Sequence, residues 1–165
     1  MTRILLHNIA SKVGLGNLFK PTVLDKQHFL NELKKVSKTR DLADRSISSM
    51  DLMDKYKGKE TETLNWLSGV ALDKNEKNFK YRQQAIHCFR WLNKPEQIET
   101  LIKCLDDDNA DIRCEAVKII SGLNDSRVVP LLLKCSNDVD KNVRFWSVDH
   151  LRSKSISTCV RCQAK

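Results

Sequence analysis

A period of 31 residues is the feature that most constrains the fold of this chain. When the 165-residue sequence is shifted by 31 positions against itself, one arginine superposes on the next in three successive segments. A small residue follows each arginine by three positions, and an acidic residue precedes each by six. The three sets are Arg82, Arg113 and Arg144; Ala85, Ala116 and Ser147; and Glu76, Asp107 and Asp138.

An apolar pattern precedes the acid in each unit and keeps the same register. Its members are Leu67, Ile98 and Val129; Val70, Leu101 and Leu132; and Ala71, Ile102 and Leu133. Within a unit the apolar positions recur at steps of three and four, which is the spacing of one face of an amphipathic helix. Each unit is therefore predicted to contain two short helices joined by an acid-containing loop.

The composition agrees with an all-α domain. The chain has five Gly, three Pro and 6% aromatic residues, which is sparse for a turn-rich β-sandwich. Hydrophobic residues make up 41% and charged residues 30%, as in an ordinary soluble protein. No apolar run reaches the length of about 18 residues that a membrane-spanning helix needs.

The unit resembles the HEAT-repeat family of α-solenoids. Its core pattern D-x-x-x-x-[VI]-R-x-x-A is met by Asp107, Ile112, Arg113 and Ala116, and by Asp138, Val143 and Arg144 with Ser147 in place of Ala. The first unit departs from the pattern, with Glu76 for Asp and Tyr81 for the small apolar residue. The resemblance implies a short right-handed α-solenoid of stacked helix pairs, HEAT/ARM-like, with about three repeats after some N-terminal helices.

These patterns divide the chain into four parts. Residues 1–24 form a leader that is either disordered or a frayed helix, and residues 25–61 form N-terminal helices or a degenerate cap repeat. The repeats occupy residues 62–153, as units 62–93, 94–124 and 125–153, of which the first two end at Asn93 and Asn124. Residues 154–165 are predicted to be a flexible tail.

The resemblance also implies a structural ladder along the stack. In this family the loop acid of one unit and the helix arginine of its neighbour are hydrogen-bonded, and a carboxylate can pair with a guanidinium through two parallel bonds. Repeating the pair in every unit would hold the stacking register. The ladder residues expected here are Glu76, Arg82, Asp107, Arg113, Asp138 and Arg144.

In this family the second helix of each unit lines the concave side. A helical wheel with Ile112, Ala116 and Ile119 on the buried stripe turns Cys114, Lys118 and Ser121 outward. The strip defined by these positions is mixed in character with a hydrophobic end, which suits a protein partner. The candidate protein-binding face is Gln83, His87, Arg90, Cys114, Lys118, Ser121, Phe145, Asp149 and Arg152.

The C-terminal end of the repeats is predicted to be apolar and exposed at Phe145, Trp146 and Leu151, because the following segment offers little apolar cover. A solenoid end of this kind needs a polar cap. Without one, we expect self-association through this end, a partner bound there, or a longer natural form with further repeats.

Patterns that would indicate catalysis or bound metal are incomplete. A calcium loop starting at Asp107 would need Gly where Ile112 stands and Glu where Lys118 stands. Cys159 and Cys162 are half of a zinc site without its second pair, and the His-Glu dipeptides of iron-dependent hydroxylases built on this repeat do not occur. The chain is predicted to be no enzyme, with no catalytic residues, no cofactor and no metal site.

The net charge of +8 is concentrated outside the best-formed repeats. Residues 81–151 contain ten Lys and Arg against eleven Asp and Glu, whereas residues 1–80 carry +5 and residues 152–165 carry +4. A non-catalytic scaffold or adaptor for protein–protein interaction is therefore preferred. The alternatives are a helical-repeat protein that binds the nucleic-acid backbone through its basic flanks, and a repeat subunit that assists an enzyme complex.

The expected location is the cytoplasm or the nucleus, without secretion. The N-terminal apolar run is interrupted by His7 and Asn8, which does not suit a signal peptide. The six cysteines are then expected to be reduced thiols.

Overall fold

The computed structural model describes residues 25–92 and 94–163, and the chain is all-α throughout them, as the repeat pattern predicts. A 3-10 turn at Phe89–Trp91 extends the fourth helix. The eight α-helices of the described part are α1 Lys26–Val36, α2 Leu42–Lys55, α3 Glu60–Ala71, α4 Phe79–Cys88, α5 Gln97–Leu105, α6 Ala110–Ile120, α7 Val128–Cys135 and α8 Lys141–Gln163.

Three of the expected boundaries need comment. The leader predicted for residues 1–24 and the unit end at Asn93 lie outside the described residues. The boundary at residue 154 does not coincide with the end of a helix, because α8 continues to Gln163. No Gly or Pro occurs between Lys141 and Gln163, so no strong helix breaker separates the last unit from the predicted tail.

Short polar side chains start the helices and shape the loops before them. Asp41 caps α2 through the amides of Ala43 and Asp44, at 2.8 and 3.0 Å. Asn109 caps α6 in the same way. The loop acid of every repeat also accepts a hydrogen bond from the amide two residues later, at Glu76, Asp107 and Asp138. The repeated acid therefore has a local role in turning the chain into the second helix.

The helices are arranged in pairs that stack along the chain. Helices α3 and α4, α5 and α6, and α7 and α8 pack within their units, and α4, α6 and α8 pack on one another in succession. Leu101, Leu132 and Ala116 are completely buried in one continuous core. Ser147 takes the place of Ala without leaving an unpaired group, because its hydroxyl donates to the Val143 carbonyl at 2.7 Å.

The N-terminal helices form a further pair that joins the stack. An aromatic cluster ties this pair to α3, with the rings of Phe29 and Tyr56 at 5.0 Å and those of Phe29 and Trp66 at 5.5 Å between centroids. Helices α1 and α2 both contact α4. The degenerate segment 25–61 thus adds a fourth helix pair.

Candidate functional site

Arg82 and Asp107 form the first rung between neighbouring units. Two guanidinium nitrogens of Arg82 donate to the carboxylate of Asp107, and both residues are buried. Arg82 also donates to the Ala71 carbonyl at 2.9 and 3.1 Å, which ties the second helix of its unit to the end of the first. The pair therefore joins the two helices of one unit to the loop of the next.

Arg113 and Asp138 form the second rung with bidentate geometry. The Nε and Nη2 atoms of Arg113 each donate to an Asp138 oxygen at 2.8 Å. Its Nη1 atom donates to the backbone carbonyls of Asp107 and Asp108 at 2.8 and 3.2 Å. Arg113 is buried, so each of these bonds replaces one to water.

The remaining ladder residues, Glu76 and Arg144, make only local bonds. Glu76 forms no ion pair within the described part of the chain, and its carboxylate accepts from the Asn78 amide at 2.8 Å. In both rungs the arginine stands 25 residues before its acid. The residue that stands 25 positions before Glu76 is Asp51, not an arginine. Arg144 is exposed and donates to the carbonyls of Asp138 and Val139 at 2.7 and 2.9 Å.

A fourth arginine occupies the same helix position and was missed in the sequence. Arg45 is the fourth residue of α2, as Arg82, Arg113 and Arg144 are of their helices. It donates to the Thr39 carbonyl at 2.8 and 3.2 Å, as Arg144 does to the loop before its own helix. The 31-residue shift does not find Arg45, because 37 residues separate it from Arg82.

The rung acids should make stability depend on pH. The hydrogen bonds from Arg113 hold the pKa of Asp138 below its ordinary value of 3.8, against the opposing effect of burial. A carboxyl whose pKa is lower in the folded state stabilises the protein above the unfolded value and loses that contribution as pH falls through the folded value. We expect the urea midpoint to drop as the pH falls below about 4, and Asp138→Asn to flatten that drop. Equal slopes for the two proteins would contradict the assignment.

The second helices of all four pairs line one cavity of about 480 Å³. Helix α2 contributes Arg45, α4 contributes His87, α6 contributes Lys118 and α8 contributes Trp146. We call the surface formed where α2, α4, α6 and α8 meet at this cavity the inner strip.

A pair formed by the half-buried His87 and the buried Glu115 lies at the centre of the inner strip. The Nδ1 atom of His87 is 2.8 Å from Glu115, and its Nε2 atom is 3.4 Å from the Ser46 hydroxyl. Burial opposes ionisation of Glu115, but the hydrogen bond from His87 and the nearby cations hold its pKa below the ordinary value. His87 thereby connects α2, α4 and α6. Sequence reasoning missed Glu115. It follows His87 by 28 residues, which is three residues, or about one helical turn, less than the 31-residue period.

Aromatic rings flank this pair on both sides. The Lys118 ammonium lies 4.9 Å from the Trp146 ring centroid, a cation–π distance. The Trp146 ring stacks on His150 at 5.8 Å, and the Trp91 ring meets His87 edge-on at 5.2 Å. The Nε2 atom of His150 is enclosed without a hydrogen-bond partner.

The structure divides the nine residues of the predicted binding face. Gln83, His87, Arg90 and Lys118 line the cavity of the inner strip. Cys114 and Ser121 are half-buried and lie outside the lining of both concavities described for this face. A separate concavity on the outer side of α8 is lined by the last three, Phe145, Asp149 and Arg152.

The predicted exposed end requires a correction. Phe145 is 62% exposed, but Trp146 and Leu151 are half-buried and pack against the core. Leu151 follows Val143 and Ser147 at steps of four on the buried side of α8, and Trp146 faces α6. In the last unit the exposed apolar side chains are instead Val129 and Leu133 of α7, Val139 of the following loop, and Phe145 and Val148 of α8. We call the four on the helices the terminal face.

Other chemically reactive groups in the described part have structural surroundings. Burial raises the pKa of the Cys88 and Cys104 thiols to about 12, which makes them poor nucleophiles. No group of three or more His, Cys, Asp or Glu side chains is placed to hold a metal ion within the described residues. Nor does any helix in that part combine the length and apolarity needed to cross a membrane. Cys159 and Cys162 belong to the segment whose side chains are not described.

A larger concavity of about 580 Å³ lies between the N-terminal pair and the first repeat, where Trp91 and Met50 line it. Its cations Lys57 and Lys94 are balanced by the carboxylates of Asp54 and Glu60. Its lining therefore carries no net charge.

Comparison with known families agrees with the geometry. The family described as HEAT repeats matches residues 58–152, which is more than half of the chain. The matched segment begins just before α3 and ends within α8, so it covers the three repeats. No curated protein matches the chain.

Proposed function

Because the chain belongs to the HEAT-repeat family, whose members generally serve as protein-interaction scaffolds, we propose that it is a non-catalytic interaction module that binds a protein partner on the inner strip. The observation that carries the proposal is the shared cavity. Four helix pairs each contribute one helix to it, so a single partner segment can contact all of them. Such a surface is larger than one helix pair can offer.

The chemistry of the inner strip favours protein over nucleic acid. Trp146 supplies aromatic surface in the cavity, and aromatic side chains are enriched at protein interfaces. The acid Glu115 lies among the cations, and residues 81–151 carry a net charge of −1. Nucleic acid would be attracted to uninterrupted positive charge. Backbone binding through the basic flanks remains the alternative that the experiment must separate.

The test blocks the cavity without changing its charge. Gln83 is half-buried in the lining and makes no hydrogen bond or ion pair within the described part, so Gln83→Trp should fill the cavity without removing a contact. Gln27→Trp on the exposed side of α1 is the matched control. We expect affinity capture from a nuclease-treated extract to recover a protein with the parent and with Gln27→Trp, but not with Gln83→Trp.

Two results would count against the proposal. Identical captured proteins for both variants would place the partner elsewhere on the chain. Loss of all captured protein on nuclease treatment would favour the nucleic-acid alternative. Circular dichroism melting of each variant confirms that the fold is retained.

We also propose self-association through the terminal face. Val129 is 43% exposed, whereas Ile98 at the same position of the preceding unit is 1% exposed. A second copy of the chain would cover the apolar side chains of this face.

Sedimentation velocity at rising concentration tests this association. We expect the parent to shift to a larger species and Phe145→Glu to remain monomeric. Ile47→Glu, at an exposed apolar residue of α2, should behave like the parent. A parent that stays monomeric at all concentrations would contradict the proposal.

A further inference from the structure

We infer that the inner strip recognises an acidic segment of the partner, with Arg90 and Lys118 as the residues that bind its Asp or Glu carboxylates. The inference rests on the proposed function and names the chemistry of its ligand.

The first support is an excess of cations in the cavity. Arg45, Arg90 and Lys118 come from three consecutive helix pairs, and Glu115 is the only carboxylate of the described lining. Charges of one sign that converge in a partly enclosed space raise the local concentration of the opposite charge. A partner that enters the cavity is therefore expected to bring carboxylates.

The second support is that Glu115 is already engaged. It is buried, lies 2.8 Å from His87 Nδ1 and is 3.8 Å from the Lys118 ammonium. Arg90, in contrast, is exposed and makes no hydrogen bond or ion pair within the described residues. Its five guanidinium donors are available for bidentate binding of a carboxylate.

The third support is the orientation of Lys118. The Trp146 ring and Glu115 hold its ammonium from two sides, at 4.9 and 3.8 Å, so less side-chain entropy is lost when a carboxylate binds it. The enclosed His150 Nε2 atom, without a partner, lies at the same edge of the cavity. Trp146 offers an apolar surface to side chains that flank the bound carboxylate.

The same strip is less suited to a phosphate backbone. The position equivalent to His87 and Lys118 in the last unit is Asp149, which lines the separate concavity, so the last unit does not continue the cations of the cavity. A backbone with phosphates at regular spacing would meet the Glu115 carboxylate inside the cavity and the Asp149 carboxylate beyond it. A short acidic peptide needs only the cations of the cavity.

Fluorescence anisotropy with the full chain tests the inference. The probes are a labelled twelve-residue peptide of Glu and Leu, the same peptide with Lys for Glu, and a single-stranded oligonucleotide. We expect the acidic peptide to bind the parent and the basic peptide not to bind. The double variant Arg90→Glu with Lys118→Gln should weaken acidic-peptide binding at least tenfold. Lys103→Glu, on exposed α5 surface, should leave it unchanged.

Any other result of these binding measurements contradicts the inference. Failure of the acidic peptide to bind, or equal binding by the double variant, removes the acidic segment as the ligand. Tighter oligonucleotide binding that the double variant abolishes would replace it with nucleic acid. If Gln83→Trp abolishes protein capture while the double variant retains it, the interaction function stands and only the ligand chemistry fails.

Discussion

Arg113→Ala is expected to lower the free energy of unfolding by about 3 kcal/mol, the scale for removing a buried arginine that is hydrogen-bonded to a carboxylate. The substitution leaves the carboxylate of Asp138 without its bidentate donor and the carbonyls of Asp107 and Asp108 without theirs. It therefore releases two loops at once. Urea unfolding monitored by circular dichroism measures the change.

Arg144→Ala is the matched control for this experiment. Arg144 has the same helix position, but it is exposed and bonds only to backbone carbonyls of its own loop. Its loss should cost less than about 1 kcal/mol, as for most exposed polar contacts. Equal destabilisation by the two substitutions would show that the rung between units adds nothing beyond the local loop contact.

Val117→Ala should destabilise the chain by about 2 kcal/mol, because it removes two buried carbon atoms and leaves a cavity. Val117 of α6 is 0% exposed and lies in the continuous core. The large cost is expected because Val117 lies on α6, which packs against both α5 and α8, and α8 belongs to the helix pair that stacks on it.

Val148→Ala tests the same residue type one period later. Val148 is 43% exposed on the terminal face, so the same truncation should cost less than about 1 kcal/mol in the monomer. A loss at Val148 as large as at Val117, measured at a concentration where the chain is monomeric, would contradict the stacking described here.

The fold was largely predictable because each repeat has an acid, an arginine and apolar residues at fixed spacing. The paired positions Asp107 and Arg113 marked the loop and the second helix, and the apolar steps around Leu101 marked the first helix. The N-terminal pair was harder to relate to the repeats because Arg45 is out of the 31-residue register. Only the three-dimensional stacking shows that it occupies the equivalent helix position.

The candidate site was predictable only in part. A helical wheel separates inward from outward positions within one helix. It placed Gln83, His87 and Lys118 on one surface, and these three residues line one cavity. It cannot show that Glu115 turns towards His87, because that contact depends on the spacing of two packed helices. It likewise could not decide that Trp146 would cover Lys118 instead of lying on the terminal face.

Hydrogen–deuterium exchange of the chain with and without the captured partner tests the central claim most directly, since it reports which helices the partner protects. The account predicts slower exchange in the inner helices α4 and α6 and in the Trp146 region of α8. Exchange in the outer helices α5 and α7 should be unchanged. Protection confined to α5 and α7, with α4 and α6 unaffected, would contradict binding on the inner strip.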